Sequence, residues 1–173
     1  VKISDPHSRV LQVQGPNSLR FLRSAAPGQI PDNFGYFHAG IFNLGGQEVL
    51  ISRTGWTGEL GIEIYGNERL DHLALWDYLF DIGSEFNLES AGSASLGLRR
   101  VEAGILDYKS DMDLSMTPYD VGLDHLVDLS KVDFVGRDAL IKANKERRLY
   151  GYISDNGFVN AGLEIFDESS SIG

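Results

Sequence analysis

Between residues 35 and 65 the chain alternates apolar and polar residues in three short runs, each separated from the next by glycine. Period-two patterning of this kind marks half-buried β-strands, and connections this short join antiparallel neighbours. The runs cover 35–43, 47–53 and 61–65, with Gly45-Gly46 as the hairpin turn between the first two. A Gly-rich connector, Thr54 to Gly61, leads into the third, where Ile62 and Ile64 alternate. Upstream, Arg9-Val10-Leu11-Gln12-Val13-Gln14 reads as a strand. It runs through Gly15-Pro16-Asn17 into a helix over about 16–26, with Leu19, Leu22 and Ala26 on the buried side.

Downstream the period changes. Leu70, Leu73, Trp76, Leu79 and Phe80 fall at three- and four-residue spacing and predict an amphipathic helix over 68–87, packing Leu73, Trp76 and Phe80 against the sheet. A second helix is expected over 91–106, carrying Leu96, Leu98, Val101 and Ile105, followed by loop over 109–122. Arg137 to Arg148 reads as a helix burying Leu140 and Ile141, and strands follow at 149–153 and 162–166. This order predicts an α+β fold: an antiparallel sheet with packed helices, in the manner of a split βαβ or ferredoxin-like unit. It does not alternate regularly enough for a doubly wound parallel sheet.

Composition removes several function classes. With 42% apolar and 23% charged residues, the 173-residue chain has the make-up of a globular protein. Zero cysteines exclude disulfide scaffolds, thiolate zinc sites, cysteine nucleophiles and iron–sulfur ligation. A net charge of −10 argues against a nucleic-acid partner, and the apolar runs are too short to cross a membrane. No Arg-rich or signal-like leader opens the chain, and there is no N-x-S/T sequon, so a cytoplasmic location is expected. The chain opens on Val1 rather than Met and ends on a strand with nothing after it to pair with, the expectation for a piece of a longer polypeptide.

Phosphate-loop, dinucleotide and zincin signatures are all missing. Asp111-x-Asp113-x-Ser115 begins like a calcium loop, but Met116 and Gly122 stand where a glycine and a bidentate Glu are needed, leaving a solvated acidic loop. His7, His38, His72 and His125 have no ligand spacing. Two segments carry chemistry. In Arg53-Thr54-Gly55-Trp56-Thr57-Gly58-Glu59, an aromatic face and a carboxylate share a glycine-rich loop, which suits a flat heterocycle with adjacent N–H donors. The alternative is a tight hairpin whose Trp56 belongs to the core. In Arg99-Arg100-Val101-Glu102-Ala103-Gly104-Ile105-Leu106-Asp107-Tyr108, Arg100 and Tyr108 share a helix face if the helix continues, and Arg99 with Glu102 is spaced for a surface pair.

In order, these segments resemble the folate-dependent aminomethyltransferase family of the glycine cleavage T-protein type. The resemblance is carried by Leu11-Gln12-Val13-Gln14-Gly15-Pro16, by the block from Arg53 to Tyr65 and by Arg100-Val101-Glu102-Ala103-Gly104. Thr117-Pro118-Tyr119-Asp120-Val121-Gly122-Leu123 and Asp133-Phe134-Val135-Gly136-Arg137-Asp138-Ala139-Leu140 extend it. It implies a three-lobed protein with tetrahydrofolate in a central channel, a small-molecule one-carbon donor and a lipoyl carrier protein as partner. Residues 1–148 would form the C-terminal portion of the folate-binding domain, and 149–173 the start of a C-terminal β-barrel. Glu59 would hold the pterin edge, Arg100 would reach the folate region, and Tyr108 and Trp56 would line the pocket. The family's catalytic Asp would lie upstream of Val1, so the chain supplies no catalytic residue. Residues 99–108 also look similar to the dimethylsulfoniopropionate demethylase branch. A third branch, the folate-binding proteins of iron–sulfur cluster maintenance, carries a Cys-containing motif that a chain without cysteine lacks.

Overall fold

The structure, a computed structural model, describes residues 1–3, 7–155, 157 and 162–171. Its contacts divide the chain into two compact units, Val1–Leu106 and Asp107–Gly173.

The first unit is built on a four-stranded antiparallel sheet in the order β1-β4-β3-β2. β1 is Arg9–Gln14, β2 Ala39–Leu44, β3 Gln47–Ser52 and β4 Gly61–Gly66. The predicted hairpin forms: β2 and β3 pair from Ala39↔Ser52 to Leu44↔Gln47. Gly45 and Gly46 turn it with φ of 58° and 85°, the pair of positive values that a two-residue turn of matching twist demands. β2 starts later than its alternation suggests because residues 35–38 fold into a turn, where the Gly35 N–H donates to His38 Nδ1 at 3.1 Å and Phe37 takes φ 62°. The α+β class and the antiparallel sheet hold, but the split βαβ expectation does not. The strands flanking the first helix, β1 and β2, run antiparallel and occupy opposite edges. A loop over residues 26–38 is long enough to carry the chain across and reverse it.

One sheet face buries Val13, Phe42, Leu44, Val49, Ile51, Ile62 and Ile64 against α1, Ser18–Ala25, and α2, His72–Gly83. α1 contributes Phe21, Leu22 and Ala25, and the Tyr78 hydroxyl on α2 donates to the Ala25 carbonyl at 2.7 Å. The other sheet face carries a cross-strand row, Val10–Tyr65–Leu50–Ile41, of which Val10, Leu50 and Ile41 are exposed.

α2 corrects the sequence expectation. Asp71 caps it, accepting the Ala74 N–H at 3.0 Å, and a 3-10 turn at Ser84–Phe86 ends it before left-handed Asn87. Its buried stripe is Leu75, Leu79 and Gly83, whereas Leu73 is 78% and Trp76 41% exposed. The helix is apolar on more than one side, and the stripe that packs lies one residue, or about 100°, round from the expected one. α3, Ser93–Glu102, also ends early, because Gly104 adopts φ 69° and closes it; Leu98 and Val101 are exposed, not buried.

In the second unit α4 spans only Arg137–Lys142, with Leu140 half-buried and Ile141 exposed. Ala143 is extended there, and the following arginines are committed elsewhere. The Arg148 and Leu149 N–H groups both donate to the Asp120 carbonyl at 2.8 Å, so the expected strand at 149–153 has no ladder. The expected strand at 162–166 is replaced by a short hairpin, β5 at Phe166–Asp167 with β6 at Ser170–Ser171. Asp111 is not solvated: it is half-buried and accepts the Asp107 N–H at 2.8 Å.

Asp120 is the buried hub of this unit. Its carboxylate accepts Arg148 Nε at 2.6 Å, the Thr117 N–H at 2.6 Å and the Thr117 hydroxyl at 2.9 Å. The Arg148 hydrogen bond first, and then the Thr117 N–H, hold its pKa down at about 2. A carboxylate so depressed stabilises the fold above its unfolded pKa of about 3.9 and loses that contribution as pH falls through about 2. Urea midpoints of the wild type and Asp120→Asn, taken at pH 6, 4, 3 and 2, should therefore converge as pH falls. A gap that stays constant with pH would show that the pair contributes nothing specific.

Candidate functional site

The glycine-rich loop between β3 and β4 is pinned from two sides. From α3, Arg99 Nη2 reaches Glu59 Oε1 at 3.1 Å while its Nη1 holds Glu102 Oε2 at 2.7 Å. The Arg100 guanidinium lies over the Trp56 ring, 5.6 Å from its centroid, and donates from Nη1 to the Ile105 carbonyl at 3.3 Å. Gly58, at φ 75°, sits so close to Ala103 that a Cβ on it would stand 2.6 Å from the alanine methyl. Helix α3 thus receives the loop at its C-terminal end, where cationic side chains are favoured.

From the sheet, Glu63 on β4 gathers three donors. Gln12 Nε2 reaches its Oε1 at 2.8 Å, and the Tyr65 hydroxyl its Oε2 at 3.0 Å. The third is the Thr54 hydroxyl. Gln14 holds Thr57 through a 2.8 Å bond from its hydroxyl.

Glu59 forms part of the wall of two cavities. One, of about 420 Å³, is lined by Tyr36, Arg53, Gly55, Gly58, Leu60 and Ile105 besides Glu59. The second, of about 680 Å³, runs beside β1 to residues 88–99 and also meets Thr57, Trp76 and Arg99. Arg53 Nη1 donates to the Phe34 carbonyl at 3.3 Å, but its Nε is buried without an acceptor among the described residues. The smaller cavity therefore has the Glu59 carboxylate, the Arg53 side chain and Tyr36 among its lining residues.

Of the four residues singled out from the sequence, Trp56, Glu59 and Arg100 belong to this loop–helix junction. Arg100 faces Trp56, while the ion-pair partner of Glu59 is Arg99. Tyr108 does not share a helix face with Arg100, because α3 stops at Glu102. It lies in the second unit, 49% exposed, with a backbone bridge to Met112. Arg53 and Gln14 stand inside the sequence blocks quoted above, but neither they nor Tyr36 is singled out there as a site residue. Tyr36 was absorbed into an expected strand, and a glutamine alternating along a strand reads as solvent-facing.

The model of the GCVT N-terminal domain family matches residues 1–131. The chain belongs to that family. Among curated relatives, the chain is 34% identical over 176 residues to the aminomethyltransferase of Thermoanaerobacter pseudethanolicus, covering 99% of the chain and 47% of the relative. It is 34% identical over 175 residues to that of Pseudothermotoga lettingae, with 99% and 47% covered. Against that of Alkaliphilus oremlandii it is 34% identical over 171 residues, with 95% and 45% covered. The GCVT chain thus spans about half the length of these relatives. Among the described residues no helix is long and apolar enough to cross a membrane, and no group of three acidic or histidine side chains is placed to hold a metal ion.

Proposed function

We propose that this GCVT chain supplies the folate-binding part of an aminomethyltransferase of the glycine cleavage type, transferring a one-carbon unit from an aminomethyl donor to tetrahydrofolate. The observation that carries the reading is the Arg53–Glu59 loop, fastened to α3 with the Glu59 carboxylate in the wall of a cavity of about 420 Å³. The relatives named as aminomethyltransferases support it. The residues present fit a pterin. A carboxylate accepts from two adjacent N–H donors on one ring edge, and the guanidinium of Arg53, a residue of the same cavity wall, is a donor suited to a neighbouring carbonyl. Tyr36 offers a ring face.

Tetrahydrofolate, when bound, supplies the N5 atom that receives the one-carbon unit. The chain's own residues bind and orient. Glu59 fixes the ring edge, exchanging or sharing its Arg99 partner as it does so, and Arg100 braces the Trp56 side of the loop. The donor, and a lipoyl carrier protein that presents it, belong to the same proposal. Calorimetric titration of the protein with tetrahydrofolate tests the binding step. Methylene-tetrahydrofolate formation from an aminomethyl-lipoyl donor, against methyl-tetrahydrofolate formation from a sulfonium donor, tests the reaction in a protein of the relatives' full length. Absence of folate binding would overturn the reading.

A further inference from the structure

We propose that Gln14 is the positioning residue of the glycine-rich loop, its side-chain amide fixing where Trp56 and Glu59 stand. Gln14 ends β1 and pairs with Gly61 on β4. From there its side chain passes up beside the loop. Its Oε1 accepts the Thr57 hydroxyl at 2.8 Å, and its Nε2 approaches the Thr54 carbonyl at 3.5 Å and the Ile62 carbonyl at 3.4 Å. The amide therefore spans Trp56, touching the loop two residues before it and one after.

Glu59 is reached by a relay. The Thr57 hydroxyl that donates to Gln14 accepts the Glu59 N–H at 3.3 Å, and Thr57 is buried. Hydrogen bonds in series through a buried hydroxyl polarise one another, so loosening one end loosens the other. Beside the relay, the Gly15 N–H donates to the Leu60 carbonyl at 2.7 Å and closes the far side of the loop.

The glycines make the space. A Cβ on Gly55 would stand 2.1 Å from Gln14 Oε1, and one on Gly61 2.3 Å from Gln14 Nε2. Neither position admits a side chain while the amide is in place. Two of the loop's glycines thus serve the residue that threads between them.

The ligand arm of the test rests on the folate reading; the spectroscopic arm does not. The chain has two tryptophans, so a Trp76→Phe parent leaves Trp56 as the reporter of loop position. In that parent, Gln14→Met keeps the side-chain volume but replaces the amide acceptor of the Thr57 hydroxyl by a weak thioether and removes the amide donors. Its Trp56 emission and acrylamide quenching should change, and calorimetric affinity for tetrahydrofolate should fall about tenfold. Gly55→Ala, which expels the amide, and Thr57→Val, which cuts the relay, should give the same spectral change. Thr57→Ser, which keeps the hydroxyl, should retain the parent spectrum. Gln14→Met combined with Thr57→Val should be no worse than either alone, since both break one chain of bonds. An unchanged Trp56 signal in Gln14→Met overturns the proposal, as does a Thr57→Val variant that behaves like the parent. If Gln14→Met fails to fold, Thr57→Val and Gly55→Ala decide by the same readouts. If the wild type binds no tetrahydrofolate, the folate reading falls and the Trp56 arm still decides for or against Gln14.

Discussion

Replacing Glu59 by glutamine should weaken tetrahydrofolate binding about 30- to 150-fold, the equivalent of about 2–3 kcal/mol. A carboxylate presents two acceptors to the adjacent N–H groups of a pterin edge. The amide presents one acceptor and turns a donor towards a donor. The substitution also removes the Arg99 ion pair, but with those side chains 48% and 45% exposed that loss is small. Calorimetry on the wild type, Glu59→Gln and Asp77→Asn, whose carboxylate is exposed on α2, decides the matter. Equal affinities for wild type and Glu59→Gln would return the loop to the rank of an ordinary turn.

The second large effect lies in the core of the first unit. Phe21 is 1% exposed on α1 and meets Phe86 edge-on, with ring centroids 6.1 Å apart. Phe21→Ala should cost about 3–5 kcal/mol, through lost burial and the cavity left behind. Leu73→Ala, at a position 78% exposed, should stay within about 0.5 kcal/mol of wild type. Urea denaturation of both variants measures the contrast. A large loss at Leu73 would mean that the outer side of α2 is covered after all.

That contrast also marks how far the sequence could be read. The β2–β3 hairpin was legible because its information is local: alternation on either side of two glycines that the turn itself requires. α2 was legible as a helix but not in its rotation, since Trp76 and Leu75 are both apolar and only the partner surface selects between them. The strand order was hidden for a related reason. Local pattern says which face of a strand is buried, while the crossing to the far edge after α1 is decided by a loop without period. At the candidate site, Trp56, Glu59 and Arg100 announced themselves by residue type and motif. Tyr108 was placed with Arg100 on the assumption of a continuous helix, which the left-handed Gly104 ends. Gln14 had no signal of its own. Its role depends on the absence of side chains at residues 55 and 61, which becomes meaningful only once β1 and β4 are side by side.

The sheet of the first unit has β1 and β2 as its edges, so each turns one row of backbone amides and carbonyls away from any neighbouring strand of that sheet. Val10, Leu50 and Ile41 lie exposed across its outer face. Such a surface favours self-association, and a like net charge on two copies opposes it. At neutral pH the chain carries −10, and like-charged molecules repel before the edges meet. Near the isoelectric point of about 4.7 that colloidal barrier disappears. Light scattering should accordingly rise sharply as pH approaches that value, well above the acid range in which Asp120 loses its grip on Arg148.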